Sequence, residues 1–218
     1  MTTVDIAGAY LNVAMEKDVY MTLDQLMASI AVQLDPSWER FVNSRGCLEV
    51  RLDKALYGCV ESALLWYREI SSTIVGLGFI QNSYDRCVFS KRVNGSDISV
   101  VLYVDDLMIT STSESLIQGF VKALERKYKT ITVHEGRVHS YLGMQFDFST
   151  AGEVAVTMDG YINDIIAEYD VKGSVASPAT NSLFEVASDS PLLDSEGKDR
   201  FHSRVAKLLY LAKRVRPD

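Results

Sequence analysis

The chain has 218 residues, with 22 Lys and Arg against 29 Asp and Glu, a formal charge of −7. At 47% hydrophobic and 23% charged it carries enough apolar surface to fold, which excludes intrinsic disorder. No apolar run approaches the ~18 residues of a membrane span, the start is acidic rather than basic and is not expected to be a signal peptide, and the acidic balance argues against a general nucleic-acid-binding surface.

Residues 60–76 place Leu64, Leu65, Tyr67, Ile70, Ile74 and Val75 at helical spacing, ended by Gly76 and Gly78. Cys87-Val88-Phe89 and residues 98–104 flank Asn94-Gly95, a hairpin signal. The run Ile98 to Val104 is nearly all apolar and β-branched and predicts a buried strand. Asp105-Asp106 interrupts it and Leu107-Met108-Ile109 resumes it, which predicts a second hairpin around a two-residue acidic turn. Ser113 then caps an amphipathic helix carrying Leu116, Ile117, Phe120, Val121 and Leu124. Residues 141–148 and 154–158 read as a third hairpin, 161–169 as a helix, 172–199 as a linker, and 200–214 as a final basic helix. Helices and hairpins mixed without a βαβ alternation predict an α+β fold. Cys47, Cys59 and Cys87 are odd in number and lack a C-x-x-C spacing, so free thiols in a reducing compartment are expected, not a disulfide scaffold or a zinc knuckle. His134, His139 and His202 form no metal-binding pattern.

The acidic turn carries the chemistry. Two adjacent anions repel, and Asn-Gly would make the same turn at lower cost. A hard divalent cation with oxygen ligands would neutralise them, and Mg²⁺ suits one or two carboxylates together with phosphate oxygens. A merely solvated acidic turn is the plain alternative.

The surrounding residues add a family likeness. Tyr103-Val104-Asp105-Asp106, preceded by Val100-Val101-Leu102, resembles the catalytic hairpin of reverse transcriptases. Asp5-Ile6-Ala7-Gly8-Ala9-Tyr10, followed by Leu11-Asn12 and Val19-Tyr20-Met21, resembles their first catalytic motif. Leu52-Asp53-Lys54-Ala55-Leu56-Tyr57-Gly58 with Trp66-Tyr67, then Asp85-Arg86-Cys87-Val88-Phe89, Tyr141-Leu142-Gly143-Met144, Tyr161-Ile162, Arg204-Val205-Ala206, residues 208–212 and Arg216-Pro217-Asp218 are similar, in order and spacing, to segments of copia-type retrotransposon polymerases.

The resemblance implies an RNA-directed DNA polymerase. Its expected fold is a reverse-transcriptase palm, a ferredoxin-like antiparallel sheet with packed helices over residues 1–150. A primer-grip and thumb-like region with a basic C-terminal helix would follow over 151–218. Asp5, Asp105 and Asp106 match the carboxylates that hold two Mg²⁺ ions, with Mn²⁺ as a substitute; one ion would lower the pKa of the primer 3′-hydroxyl and the other would stabilise the pyrophosphate. The resemblance implies that Asp106, the second acid of the turn, engages the metals less directly than Asp5 and Asp105. Tyr10 matches the steric gate that excludes a ribose 2′-hydroxyl. Tyr103 would pack beside the primer end, and Glu61 stands where a nucleotide- or template-touching Gln is expected. Leu142, Gly143 and Met144 would form the primer-gripping hairpin, with a plain hairpin as the alternative.

The likeness has departures. After Gly58 the family's Lys, Gln and Arg read Val60, Glu61 and Leu64. The first catalytic Asp lies at position 5, so the resemblance implies that the fingers are missing. The last motif falls where a ribonuclease H region would begin. Weak activity or none is expected of such a piece. The implied partners are an RNA or DNA template with primer, deoxynucleoside triphosphates and the rest of a Pol polyprotein with integrase and ribonuclease H, with no membrane. The implied location is a cytoplasmic virus-like particle with nuclear entry, not secretion. A non-catalytic relic that binds nucleic acid or protein, and a metal-dependent hydrolase, remain as alternatives. Charge is uneven: residues 198–218 hold seven Lys and Arg against two Asp and Glu. Lys207, Lys213 and Arg214 could therefore meet a phosphate backbone although the whole chain is acidic.

Overall fold

Alternation along Ile98-Ser99-Val100-Val101-Leu102 puts successive side chains on opposite faces of a strand. In the computed structural model these residues are the centre of an antiparallel sheet. The structure describes residues 1–217 except 170, 178, 180, 181, 183, 184 and 186–188. Parts of the expected 172–199 linker, and Asp218 of the last motif, therefore lie outside the described residues. The chain divides into two compact units, Met1–Gly136 and Arg137–Asp218. The boundary expected after residue 150 falls inside the second unit, beyond its first hairpin.

The first unit contains strands β1 (Thr2–Ile6), β2 (Tyr20–Leu23), β3 (Leu48–Arg51), β4 (Ile80–Gln81), β5 (Val88–Val93), β6 (Ser96–Tyr103), β7 (Asp106–Ser111) and β8 (Ile131–His134). Its helices are α1 (Gln25–Leu34), α2 (Ser62–Gly76) and α3 (Glu114–Tyr128). Six strands form one sheet in the order β4-β5-β6-β7-β1-β8, all pairs antiparallel; β2 and β3 form a separate ribbon. The Asn94-Gly95 hairpin forms as its residue types demand, with both central residues at positive φ and Val93 opposite Ser96.

One face of the large sheet is apolar. Val4, Ile6, Ile98, Val100, Leu102, Leu107 and Ile109 are buried with Trp66, Ile70 and Ile74 of α2 and Ile117, Phe120 and Leu124 of α3. These are the periodic positions that predict the two helices. Helix α2 starts at Ser62 rather than residue 60, because the Ser62 hydroxyl is spent on the preceding loop: it donates to the Leu56 carbonyl at 2.7 Å and accepts from the Leu56 amide at 3.1 Å. Ser113 precedes α3 as expected, but its side chain makes no capping bond; its hydroxyl lies 3.0 Å from that of Ser115.

The acidic turn differs from expectation by one residue. Tyr103 pairs with Asp106, so the tip is Val104-Asp105 and Asp106 already belongs to β7. Val104 sits at φ 54°, a region β-branched residues avoid. Its carbonyl accepts a 2.6 Å bond from the indole N–H of Trp66, and the Asp105 carbonyl accepts a 3.0 Å bond from the Ile6 amide. The tip is thus tied to α2 on one side and β1 on the other.

In the second unit, β9 (Val138–Tyr141), β10 (Met144–Asp147) and β11 (Ala155–Thr157) make a three-stranded antiparallel sheet, followed by α4 (Asp159–Glu168) and α5 (Ser195–Ala212). The strand expected over 141–148 is split, because Leu142 and Gly143 both take positive φ and turn the chain between Tyr141 and Met144. Helix α5 begins inside the expected linker, where the Asp194 carboxylate accepts the Gly197 amide at 2.7 Å and caps it. Among the described residues no helix is long and apolar enough to cross a membrane.

Trp66 is 1% exposed and touches Tyr128 edge-on at 5.3 Å. Trp66→Phe is expected to cost about 2–4 kcal/mol of unfolding free energy, through lost packing and an orphaned Val104 carbonyl. Urea titration against the wild type measures this.

Candidate active site

Pairing register brings the predicted carboxylates to one end of the sheet. Asp5 lies directly opposite Asp106, Asp106 opposite Tyr103, and Asp5 opposite Thr132 on its other side. Directly paired residues share a face, so Tyr103, Asp106, Asp5 and Thr132 form one row across β6, β7, β1 and β8. This row lies on the face away from the apolar layer. Asp5, Asp105 and Asp106 are all half-buried.

Their charges act on each other. The Asp106 carboxyl is pushed above the ordinary carboxylate range, first by burial and then by the Asp105 and Asp5 carboxylates. Short oxygen ligands with uncompensated negative charge fit a hard divalent cation. The arrangement is nevertheless open: among the described residues no group of three or more His, Cys, Asp or Glu is placed to hold a metal ion. Asp105 is engaged elsewhere, its Oδ2 accepting a 3.0 Å bond from the Tyr57 hydroxyl.

Tyr57 was legible only as part of the Leu56-Tyr57-Gly58 motif, with no role attached. The Ala55 amide donates to the Val13 carbonyl at 3.0 Å and the Met15 amide to that of Asp53 at 3.1 Å, which lays the Tyr57 segment along the chain that follows Tyr10. Gly8, at φ 62°, allows the tight turn that buries Tyr10 right after β1. The Tyr10 and Tyr57 rings then meet at 4.2 Å between centroids, tilted by 40°. The Tyr57 phenol is pushed up to about 12 by burial of its hydroxyl, then by its bond to Asp105 and the charges of Asp105, Tyr10 and Asp5. It is therefore a neutral donor at any working pH. Tyr103 is exposed beside the turn.

Glu61, at the mouth of α2, is ion-paired with Lys17. That bond holds the Lys17 ammonium above its ordinary value and offsets the repulsion that a bare Glu61 would present to phosphate.

The remaining predicted residues belong to the second unit. Leu142 and Gly143 form the tip of the β9–β10 hairpin, and the Tyr210 hydroxyl donates to the Leu142 carbonyl at 3.3 Å. Lys207 is ion-paired with Glu168, and with Arg204 it faces the Tyr169 ring. Arg214 stacks on Tyr210 at 3.7 Å and Lys213 is exposed. Lys207 is thus the least free of the basic side chains proposed for phosphate contact.

Asp106→Asn removes the strained carboxylate. The pKa of Asp106 is raised on folding, so its protonation stabilises the fold. That contribution is complete below the ordinary value of 3.8 and is lost as the pH rises through the raised one. At neutral pH in chelator the variant should melt about 1–3 °C above the wild type, less than about 1 kcal/mol for a partly exposed group. The difference should vanish in acid, as thermal scans across pH will read.

Comparison with known proteins identifies the family. The family described as "Reverse transcriptase (RNA-dependent DNA polymerase)" matches residues 1–180. The transposon Ty5-1 protein YCL074W of Saccharomyces cerevisiae is 27% identical over 221 residues, which cover 98% of this chain and 65% of that protein. The Retrovirus-related Pol polyprotein from transposon RE1 of Arabidopsis thaliana is 25% identical over 219 residues, 98% of this chain and 13% of the polyprotein. The Transposon Ty1-DR5 Gag-Pol polyprotein of S. cerevisiae is 23% identical over 226 residues, 99% of this chain and 12% of the polyprotein. The chain therefore spans less than two thirds of these relatives' length, and it belongs to the reverse transcriptase family, the RNA-dependent DNA polymerases, as a copia-type retrotransposon member.

Proposed function

We propose that this chain extends a primer 3′-end on an RNA or DNA template with deoxynucleoside triphosphates, using the carboxylates at the end of its large sheet. The observation that carries this is the register that sets Asp5 beside Asp106 at the tip of the Asp105-bearing hairpin. Asp5, Asp105 and Asp106 would hold two Mg²⁺ ions, with Mn²⁺ as a substitute. Bound there, the metal supplies neutralisation of charge on the leaving pyrophosphate and a more acidic primer hydroxyl. The chain's own part is positioning: short carboxylates on paired strands keep their spacing better than loop residues. Tyr10, buried and stacked, would lie under the nucleotide sugar and exclude a 2′-hydroxyl; Tyr103 would flank the primer end and Glu61 the nucleotide. The Leu142-Gly143-Met144 hairpin would grip the primer, and Lys213 and Arg214, with Lys207, would meet its backbone.

In this reading residues 1–150 are a ferredoxin-like palm and residues 151–218 a primer-grip and thumb-like region. The likeness to Pol polyproteins supports integrase and ribonuclease H as neighbours in the same polyprotein; the setting in this reading is a virus-like particle in the cytoplasm with later nuclear entry.

The test is primer extension on an RNA template with Mg²⁺. Synthesis by the chain alone should be weak, and Asp5→Asn and Asp105→Asn should each lower it about 10²–10³-fold or more; equal, measurable synthesis by wild type and both variants would remove the assignment. Tyr10→Val should lower discrimination against ribonucleotides about 10–100-fold, read as the ratio of kcat/KM for the two sugars.

A further inference from the structure

The Tyr57 hydroxyl occupies an oxygen of the carboxylate that the proposed function most needs. Its donor bond to Asp105 Oδ2 is 3.0 Å. Both main-chain neighbours of that carboxylate are fixed, by Trp66 on the Val104 carbonyl and by the Ile6 amide on the Asp105 carbonyl. Only the Asp105 side chain is left to respond to a change in its surroundings. The Tyr57 side has a fixed base too: Ser62, fully buried, holds both the amide and the carbonyl of Leu56. Beyond that anchor the ring is 57% exposed, and it is followed by Gly58 at φ 97°. Tyr57 is thus held at its base and exposed at its ring, which lies 4.2 Å from that of Tyr10, itself 8% exposed.

We propose that Tyr57 is a positioning residue whose hydroxyl occupies the Asp105 carboxylate until a divalent cation displaces it. This rests on reading the three carboxylates as a metal site. A phenol donates one hydrogen bond and brings no positive charge, so it satisfies Asp105 without relieving the repulsion among the three acids. A cation does relieve it, and gains Asp105 as a ligand when the hydroxyl leaves. Breaking a charge-assisted bond then subtracts from the affinity for the first cation.

The measurement is Mn²⁺ binding, read by the loss of the free-ion electron paramagnetic resonance signal, on wild type, Tyr57→Phe, Tyr57→Leu and Asp105→Asn, each checked for a wild-type-like melting transition. Tyr57→Phe keeps the ring against Tyr10 and removes only the hydroxyl. It should bind Mn²⁺ about 3- to 10-fold more tightly than the wild type. Tyr57→Leu should tighten binding to a similar degree, since the hydroxyl and not the ring is responsible. A merely structural role would weaken binding, not strengthen it. Unchanged or weaker binding in Tyr57→Phe, with binding lost in Asp105→Asn, would overturn the holding role and leave the metal site standing. Wild-type affinity in Asp105→Asn, or no binding by the wild type, would overturn the metal-site reading and the holding role together.

Discussion

The end of the sheet depends on one hydrogen bond, from the Trp66 indole to the Val104 carbonyl. A two-residue hairpin tip with a valine at positive φ is not a conformation the local sequence favours. It persists because the chain on either side is over-determined. Trp66 of α2 is locked in the core against Tyr128 of α3, and β7 is locked by pairing with β6 and β1. With the tip fixed, Asp105 and Asp106 point where the sheet sends them, and Asp5 follows from the register. Local strain at the tip is thus balanced by packing below it, the usual arrangement for a site that must be rigid.

The second constraint is electrostatic. Three carboxylates gathered at one sheet end destabilise the chain that carries them, as the raised Asp106 shows. The fold tolerates this by leaving all three half-exposed, by hydrogen-bonding one to a phenol, and by burying only aliphatic and aromatic groups on the opposite face. In the proposed reading, an outside cation supplies the neutralisation that the fold withholds.

The sequence made a good part of this visible, and the exceptions have physical causes. Asn94-Gly95 and the apolar period of α2 and α3 were readable because one local preference decides each of them. Asp105 and Asp106 stood out because two adjacent acids in a turn are costly, whereas Asp5 stood out only through the family likeness. The turn was misplaced by one residue because valine gives no sign of a left-handed conformation; only Trp66, 38 residues earlier, imposes it. At Leu142-Gly143 the residue pattern read one strand for the same reason, and the hairpin there was expected only from the family likeness. Strands β2, β3 and β8 are four residues each, too short to show a period, and α1 leaves Leu26, Met27 and Leu34 exposed, so its pattern did not read as a buried face. Tyr57 was invisible as a partner of Asp105 because 48 residues separate them and no local rule links a tyrosine to a distant carboxylate.

The row Tyr103, Asp106, Asp5 and Thr132 has a consequence for how the chain assembles. Side chains alternate along a strand, so a slip of β1 by one residue would turn Asp5 into the apolar layer and bring Val4 and Ile6 out to water. Burying an unpaired carboxylate there is costlier than any gain from the extra pairing. The same charge that crowds the finished site therefore rejects mispaired sheets while the protein folds, so the acid on β1 acts as a spelling check on the register it occupies.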